Sequence, residues 1–132
     1  MNLKIIKSVR TNNFKDEAIM QKITDLWKES SSILKHQDEV TYGLYHGYES
    51  DYKGDYTLSV AIESSDNAST INIPNTTKYE VFEVDISDEN GILNTWKQIW
   101  ELEKNAFLKR AYSFDFERYY PNGQIEIHIA TK

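Results

Sequence analysis

One short segment occurs twice in this chain. Ile23-Thr24-Asp25-Leu26-Trp27-Lys28 aligns with Trp96-Lys97-Gln98-Ile99-Trp100-Glu101 at a constant offset, so Trp27 corresponds to Trp100. Around each copy the hydrophobic period changes in the same order: an extended run, a helical run, then two more extended runs. Recurrence on this scale marks a duplicated supersecondary unit. A duplicated strand-helix-strand-strand unit packs about a pseudo-two-fold axis. Its strands join one antiparallel-rich sheet, and both helices lie on one face. The expected fold class is therefore α+β. A groove remains between the helices, and clefts at such interfaces are common ligand sites.

The individual elements follow from period and punctuation. Leu3 to Arg10 reads as a strand. From Asp16, residues Ile19, Ile23, Leu26 and Trp27 fall at helical spacing, and the run Ser30-Ser31-Ser32 suits a helix end. Val40 to Glu49 and Tyr56 to Ser64 read as strands joined by a hairpin loop over 50–55. The polar stretch 64–77, with Pro74, reads as a crossing loop. Lys78 to Ile86 is a strand, Ser87 to Gly91 offers capping side chains, and Ile92 to Lys104 is the second helix. Phe114 to Tyr120, a Pro121-Asn122-Gly123 turn and Gln124 to Thr131 close the chain. Ile125, Ile127 and Ile129 alternate with Glu126, His128 and Ala130, which predicts one buried face. The whole is one domain of 132 residues, with a first repeat over about 1–64 and a second over about 78–132.

Composition excludes several function classes. The net charge of −6 argues against non-specific nucleic-acid binding and against an anionic membrane surface. The absence of cysteine removes disulfides, thiol catalysis and Cys-based metal sites. His36, His46 and His128 show no ligand spacing, and no cofactor motif is present. No apolar run spans a membrane and the start is no signal peptide, so the expectation is a cytoplasmic protein. Aromatics are abundant: nine Tyr, five Phe and three Trp. Tyr and Trp combine an apolar body with a polar tip and so suit half-wet cavity walls.

The candidate site lies in the last third. On the strand Phe114-Asp115-Phe116-Glu117-Arg118-Tyr119-Tyr120, Glu117 shares a face with Asp115 and Tyr119, opposite Phe116 and Arg118. An acid among rings, beside a helix that presents Trp96 and Trp100, is what a pocket for a flat organic cation requires. The plainer reading of Glu117 is a solvated carboxylate paired with Lys or Arg. For the three tryptophans it is helix-on-sheet packing. Trp96 and Trp100 are one turn apart on one helix face, and Ile23 and Trp27 are their counterparts across the pseudo-axis. Trp100 and Trp27 are the favoured groove walls. Tyr45 and His46 fall near the place equivalent to Glu117, with Tyr42 and Tyr48 sharing the face of His46. Asp51, Asp55, Asp85 and Asp88 read as turn and cap residues. The acids Glu80, Glu83, Asp85, Asp88 and Glu89 read as a solvated edge.

These pieces, taken in order, resemble the GyrI-like, or AraC-type, effector-binding domains, which include the drug-sensing modules of bacterial multidrug regulators. The resemblance rests on Ile23-x-x-Leu26-Trp27, Tyr42-Gly43-Leu44-Tyr45, Asp55-Tyr56-Thr57, and Ile73-Pro74 leading to Lys78-Tyr79-Glu80-Val81-Phe82. It continues through Trp96-x-x-Ile99-Trp100, Phe116-Glu117-x-Tyr119 and Ile125-Glu126-Ile127-His128-Ile129. It implies a groove for amphipathic, often cationic, organic molecules, with Glu117 meeting the cation. The implied ligand-binding residues are Glu117, Trp100, Trp27, Trp96, Tyr45 and Tyr119. The first strand begins at Leu3 with no helix-turn-helix before it, so a stand-alone effector module without direct nucleic-acid contact is expected. Two alternatives stay open. Some GyrI-like proteins are hydrolases of reactive small rings, in which Glu117 would be a general base with Tyr45 or Tyr119 holding a water. A gyrase-inhibitor-like relative implies a protein partner such as DNA gyrase or a transcription regulator. No nucleophile elbow, phosphate loop or triad order is visible.

Overall fold

The computed structural model describes residues 1–34, 39–64 and 71–132. His36 and residues 65–70 of the expected crossing loop lie outside the described residues. The elements run β1 (Asn2–Thr11), α1 (Ile19–Ile33), β2 (Thr41–His46), β3 (Tyr56–Glu63), β4 (Ile71–Asn72), β5 (Lys78–Glu83), α2 (Gly91–Lys104), β6 (Asp115–Tyr119) and β7 (Ile125–Thr131). All seven strands form one antiparallel sheet in the order β4-β1-β3-β2-β6-β7-β5. Setting aside the two-residue β4, the order β1-β3-β2 mirrors β5-β7-β6 about the β2–β6 seam. This is the α+β duplication expected from the repeat.

Both helices pack on the same face. Leu26 on α1 is buried with Tyr56, Leu58 and Val60 of β3. Trp96 and Ile99 on α2 are buried with Ile127 and Ile129 of β7. Tyr45 of β2 touches both clusters, which places them on one side of the seam. The opposite face buries Leu3, Tyr42, Leu44, Ala61 and Phe116 beneath Ile73 and neighbouring residues. Burial of aliphatic and aromatic side chains at ~1.5–3 kcal/mol each is the main term holding both layers to the sheet.

Several boundaries differ from the sequence reading, each for a local reason. Helix α1 starts at Ile19 rather than Asp16, because the Asp16 carboxylate accepts the Ala18 N–H at 2.9 Å and holds a turn first. It ends at Ile33, past the serines, and Ser30 is fully buried. Strand β2 stops at His46, because Gly47 turns the chain with φ +61°. As a result Tyr48 does not share the face of His46. Strand β5 ends at Glu83, where Asp85 accepts from the Ser87 N–H at 3.0 Å. Asn90 at the start of α2 makes no side-chain cap, and Asp88 bonds Asn90 N–H and the Asn94 amide instead. Strand β7 is buried on both faces: His128 and Ala130 are enclosed as well as Ile127 and Ile129. The acids Glu80, Glu83, Asp85, Asp88 and Glu89 are exposed.

Candidate functional site

A cleft of about 1010 Å³ opens between the two helices. Its floor is the β2–β6 seam. Tyr45 and Gly43 point up from β2, and Asp115, Glu117 and Tyr119 from β6, as strand alternation requires. Its walls are Ile23 and Trp27 on α1, and Trp96 and Trp100 on α2. All six residues implied by the resemblance therefore line one cavity.

Glu117 sits at the floor with 3% of its surface exposed. Three donors converge on its carboxylate. The Tyr45 hydroxyl and the Trp96 indole N–H reach Oε2 at 2.8 and 2.7 Å, and the Tyr119 hydroxyl reaches Oε1 at 2.6 Å. Gly43 lies directly across the seam. A Cβ there would stand 3.0 Å from Glu117 Oε1 and 3.3 Å from the Trp27 ring, so glycine leaves room for both. Burial pushes the Glu117 carboxyl above its ordinary value, and the bonds from Tyr119, Trp96 and Tyr45 pull against that shift. Burial and the Glu117 charge in turn raise the Tyr45 and Tyr119 hydroxyls well above the phenol range, so both remain donors. Among the described residues every ion pair involves some other acid, and no Lys, Arg or His pairs with Glu117.

Asp115, one strand repeat away on the same face, has the opposite arrangement. It is fully buried and takes an Arg110 N–H at 2.8 Å, the Tyr48 hydroxyl at 2.5 Å and the Ala130 N–H at 2.7 Å. Arg110 is itself buried, lying over Tyr112 at 4.4 Å and beside Trp96 at 5.8 Å. Among the described residues Asp115 has a counter-charge and Glu117 has none.

The aromatic walls divide the work. Trp96 packs edge-on against Tyr45 with centroids 5.0 Å apart, and Trp27 does the same with Tyr119 at 5.0 Å. Trp100 stacks on Tyr52 at 5.8 Å and 17°, with Phe14 tilted against it at 5.7 Å. Trp96 is the deepest of the three indoles and the one bonded to Glu117, whereas the sequence favoured Trp27 and Trp100. His46 takes no part; it contacts Ser59 at 2.8 Å on the other face. Arg110, Tyr48 and Tyr52 were missed. The stretch between α2 and β6 has no hydrophobic period to place Arg110. The turn at Gly47, which sends Tyr48 to the cleft, has a conformation that spacing does not encode.

Among the described residues no three His, Cys, Asp or Glu side chains cluster as metal ligands, and no helix is long and apolar enough to cross a membrane. The fold matches a crystal structure from the mobile metagenome of Vibrio cholerae, integron cassette protein VCH_CASS2, with a TM-score of 0.72 and 26% identity. The match covers 100% of this chain and 92% of that one. A Bacillus subtilis (strain 168) protein, provisionally named transcriptional regulator protein YobU, is 33% identical over 123 residues. That alignment covers 81% of this chain and 75% of the relative. Residues 5–131 match the family model described as Cass2, integron-associated effector binding protein. The chain belongs to this family of effector-binding proteins.

Proposed function

We propose that this chain binds amphipathic organic cations in the inter-helix cleft, with Glu117 neutralising the cation and Trp27, Trp96, Trp100, Tyr45 and Tyr119 forming the walls. The observation that carries this reading is the unpaired burial of Glu117. A buried carboxylate without a cation is costly, and three hydrogen bonds offset only part of that cost. A ligand cation would supply the missing charge at a carboxylate that is only 3% exposed. Each indole face would add about 0.5–2 kcal/mol for a cation held against it. An apolar body of two or three fused rings fits a cleft of this size.

Hydrolysis with Glu117 as general base is the second reading, and the same geometry disfavours it. Both tyrosines that would hold a water already donate to Glu117, and bonds to the ionised form weaken it as a base. One of them would have to give way to a water. A link to a transcription regulator rests on the name of the Bacillus relative alone.

The test is a titration with N-methylquinolinium and its neutral carbon isostere, methylnaphthalene, followed by quenching of tryptophan fluorescence. The cation should bind in the micromolar range, about −8 kcal/mol, and the isostere more weakly. Equal affinity would remove the role given to the carboxylate.

A further inference from the structure

Strand β6 has a second face. Phe116 and Arg118 point away from the cleft, onto the layer that holds Tyr42 and Tyr79. A separate cavity of about 190 Å³ lies there, between the β6–β7 pair and the segment that follows β4. That is roughly the space of six water molecules. Its wall is largely apolar: Ile73, Pro74, Tyr79, Phe116 and the His128 ring, with Arg118 at one side. His128 stacks on Phe116 at 4.6 Å and 17°, and Tyr79 packs against Phe116 at 5.3 Å. Burial lowers the His128 pKa, so this ring is a neutral wall near pH 7.

Arg118 packs by its faces, and its edge meets neutral partners only, the Tyr42 and Tyr120 hydroxyls among them. The guanidinium lies over Phe116 at 5.3 Å and over Tyr42 at 5.4 Å. The hydrogens sit on the edge, and the edge has weak partners. One terminal nitrogen is 3.4 Å from the Tyr120 hydroxyl, the other 4.0 Å from the Met1 sulfur, and Nε is buried with no hydrogen-bond partner. Glu126 stands across the strands from Arg118 and the two charges attract each other, but they form no ion pair; Glu126 Oε1 accepts from the Tyr120 hydroxyl at 2.7 Å and lies 3.1 Å from His128. No acid among the described residues forms an ion pair with Arg118. A guanidinium packed against two rings, its edge met only by the neutral Tyr42 and Tyr120 hydroxyls and the Met1 sulfur, can exchange those contacts for a carboxylate held bidentately beside an apolar cavity.

We propose that this outer cavity is a second binding site, taking a small organic carboxylate with a flat apolar body. The carboxylate sits on the Arg118 fork, and the body lies against Phe116, Tyr79 and Pro74. The site is independent of the cation cleft, since β6 turns its two faces to two ligands of opposite charge.

The probes are sodium benzoate and its neutral analogue benzamide, titrated at constant ionic strength into the full chain labelled with ¹⁵N. Benzoate should saturate in the millimolar range and shift the amides of Tyr79, Phe116, Arg118 and His128. Benzamide should bind about ten-fold more weakly or not at all. Arg118→Gln should bring benzoate down to the benzamide level, and Arg118→Lys should fall between, because it keeps charge without the fork. Saturating N-methylquinolinium should leave the benzoate shifts in place, which separates this site from the cleft even if the cation reading fails. Equal binding of benzoate and benzamide by the unmodified protein would overturn the proposal without recourse to any variant. So would benzoate shifts centred on Trp96 and Tyr45.

Discussion

Asp115 and Glu117 are two residues apart on one strand face, both buried, and removal of their charges should have opposite consequences. Glu117→Gln keeps the shape and removes an uncompensated charge. Folding stability should hold or rise slightly, while cation affinity falls by roughly 1–3 kcal/mol. Asp115→Asn leaves the buried Arg110 with only its 3.8 Å contact to Glu103 and should cost about 3 kcal/mol of stability. Thermal melts and quinolinium titrations on the two variants check both. If the variants behave alike, the contrast between a paired and an unpaired acid is wrong. Glu117 also sets a pH dependence. Its carboxyl pKa is raised by burial above the usual 4.5, so the folded state holds a proton that the unfolded chain has lost over the window between the two values. Stability therefore falls as pH rises from 4.5 to the folded pKa, stays lowered above it, and is restored below 4.5. Only the ionised form pairs with a cation, so affinity should drop as pH falls through the folded pKa, and Glu117→Gln should flatten that profile. The sequence made Glu117 legible because a strand alternates and aromatics flank the acid. It could not show that Asp115 has its own cation, because Arg110 comes from a non-periodic stretch where Ala106 and Tyr112 both take positive φ.

Among the elements, β2 is the one whose composition the site dictates. Gly43 costs a strand about 0.5–1 kcal/mol relative to alanine. The room above it is filled by Glu117 and Trp27, both within 3.3 Å of where a Cβ would stand. Forcing a methyl into packed space costs about 1–3 kcal/mol, more than the gain in strand propensity. Gly43→Ala should therefore lower the melting temperature and also weaken cation binding, by moving Glu117 off the Tyr119 hydroxyl. A melt and a titration decide it, and a variant that binds as the parent does would show the glycine to be incidental to the site. Helices and long strands were readable from period alone. The two-residue β4 was not, because Ile71–Asn72 has no alternation to display and gains its strand character only by pairing with β1. The end of β2 was misread for a related reason: Tyr48 continues the aromatic run, and only the positive φ at Gly47 takes it to the cleft, where it bonds Asp115.

At the scale of the molecule, a symmetric scaffold carries an asymmetric site. The repeat made the scaffold legible, since Trp27 and Trp100 occupy matching turns. The asymmetry follows from what each half places on the floor: Gly43 and Tyr45 from one, Glu117 and Asp115 from the other. Five cross-strand pairs between β2 and β6 join the halves, and Tyr45 packs into the clusters under both helices. The cleft floor exists only when the halves are joined, so a cleft ligand binds the folded state and not its parts. Thermal unfolding should accordingly be one cooperative transition, and a cation at 100 times its Kd should stabilise by about 2.7 kcal/mol. For a domain of this size that is a rise in Tm on the order of 10 °C. One cation should bind per chain, because Glu117 is the only buried acid without a cation among the described residues. At the same ligand concentration a loss in affinity of roughly 1–3 kcal/mol should cut the stabilisation in Glu117→Gln to about 0.3–1.8 kcal/mol, with the rise in Tm shrinking in proportion. Differential scanning calorimetry with and without N-methylquinolinium reads the cooperativity and both Tm shifts, and a calorimetric titration reads the stoichiometry. Two resolved transitions, or a cation that raises the Tm of parent and variant equally, would show that the halves unfold separately or that Glu117 is not what the cation meets.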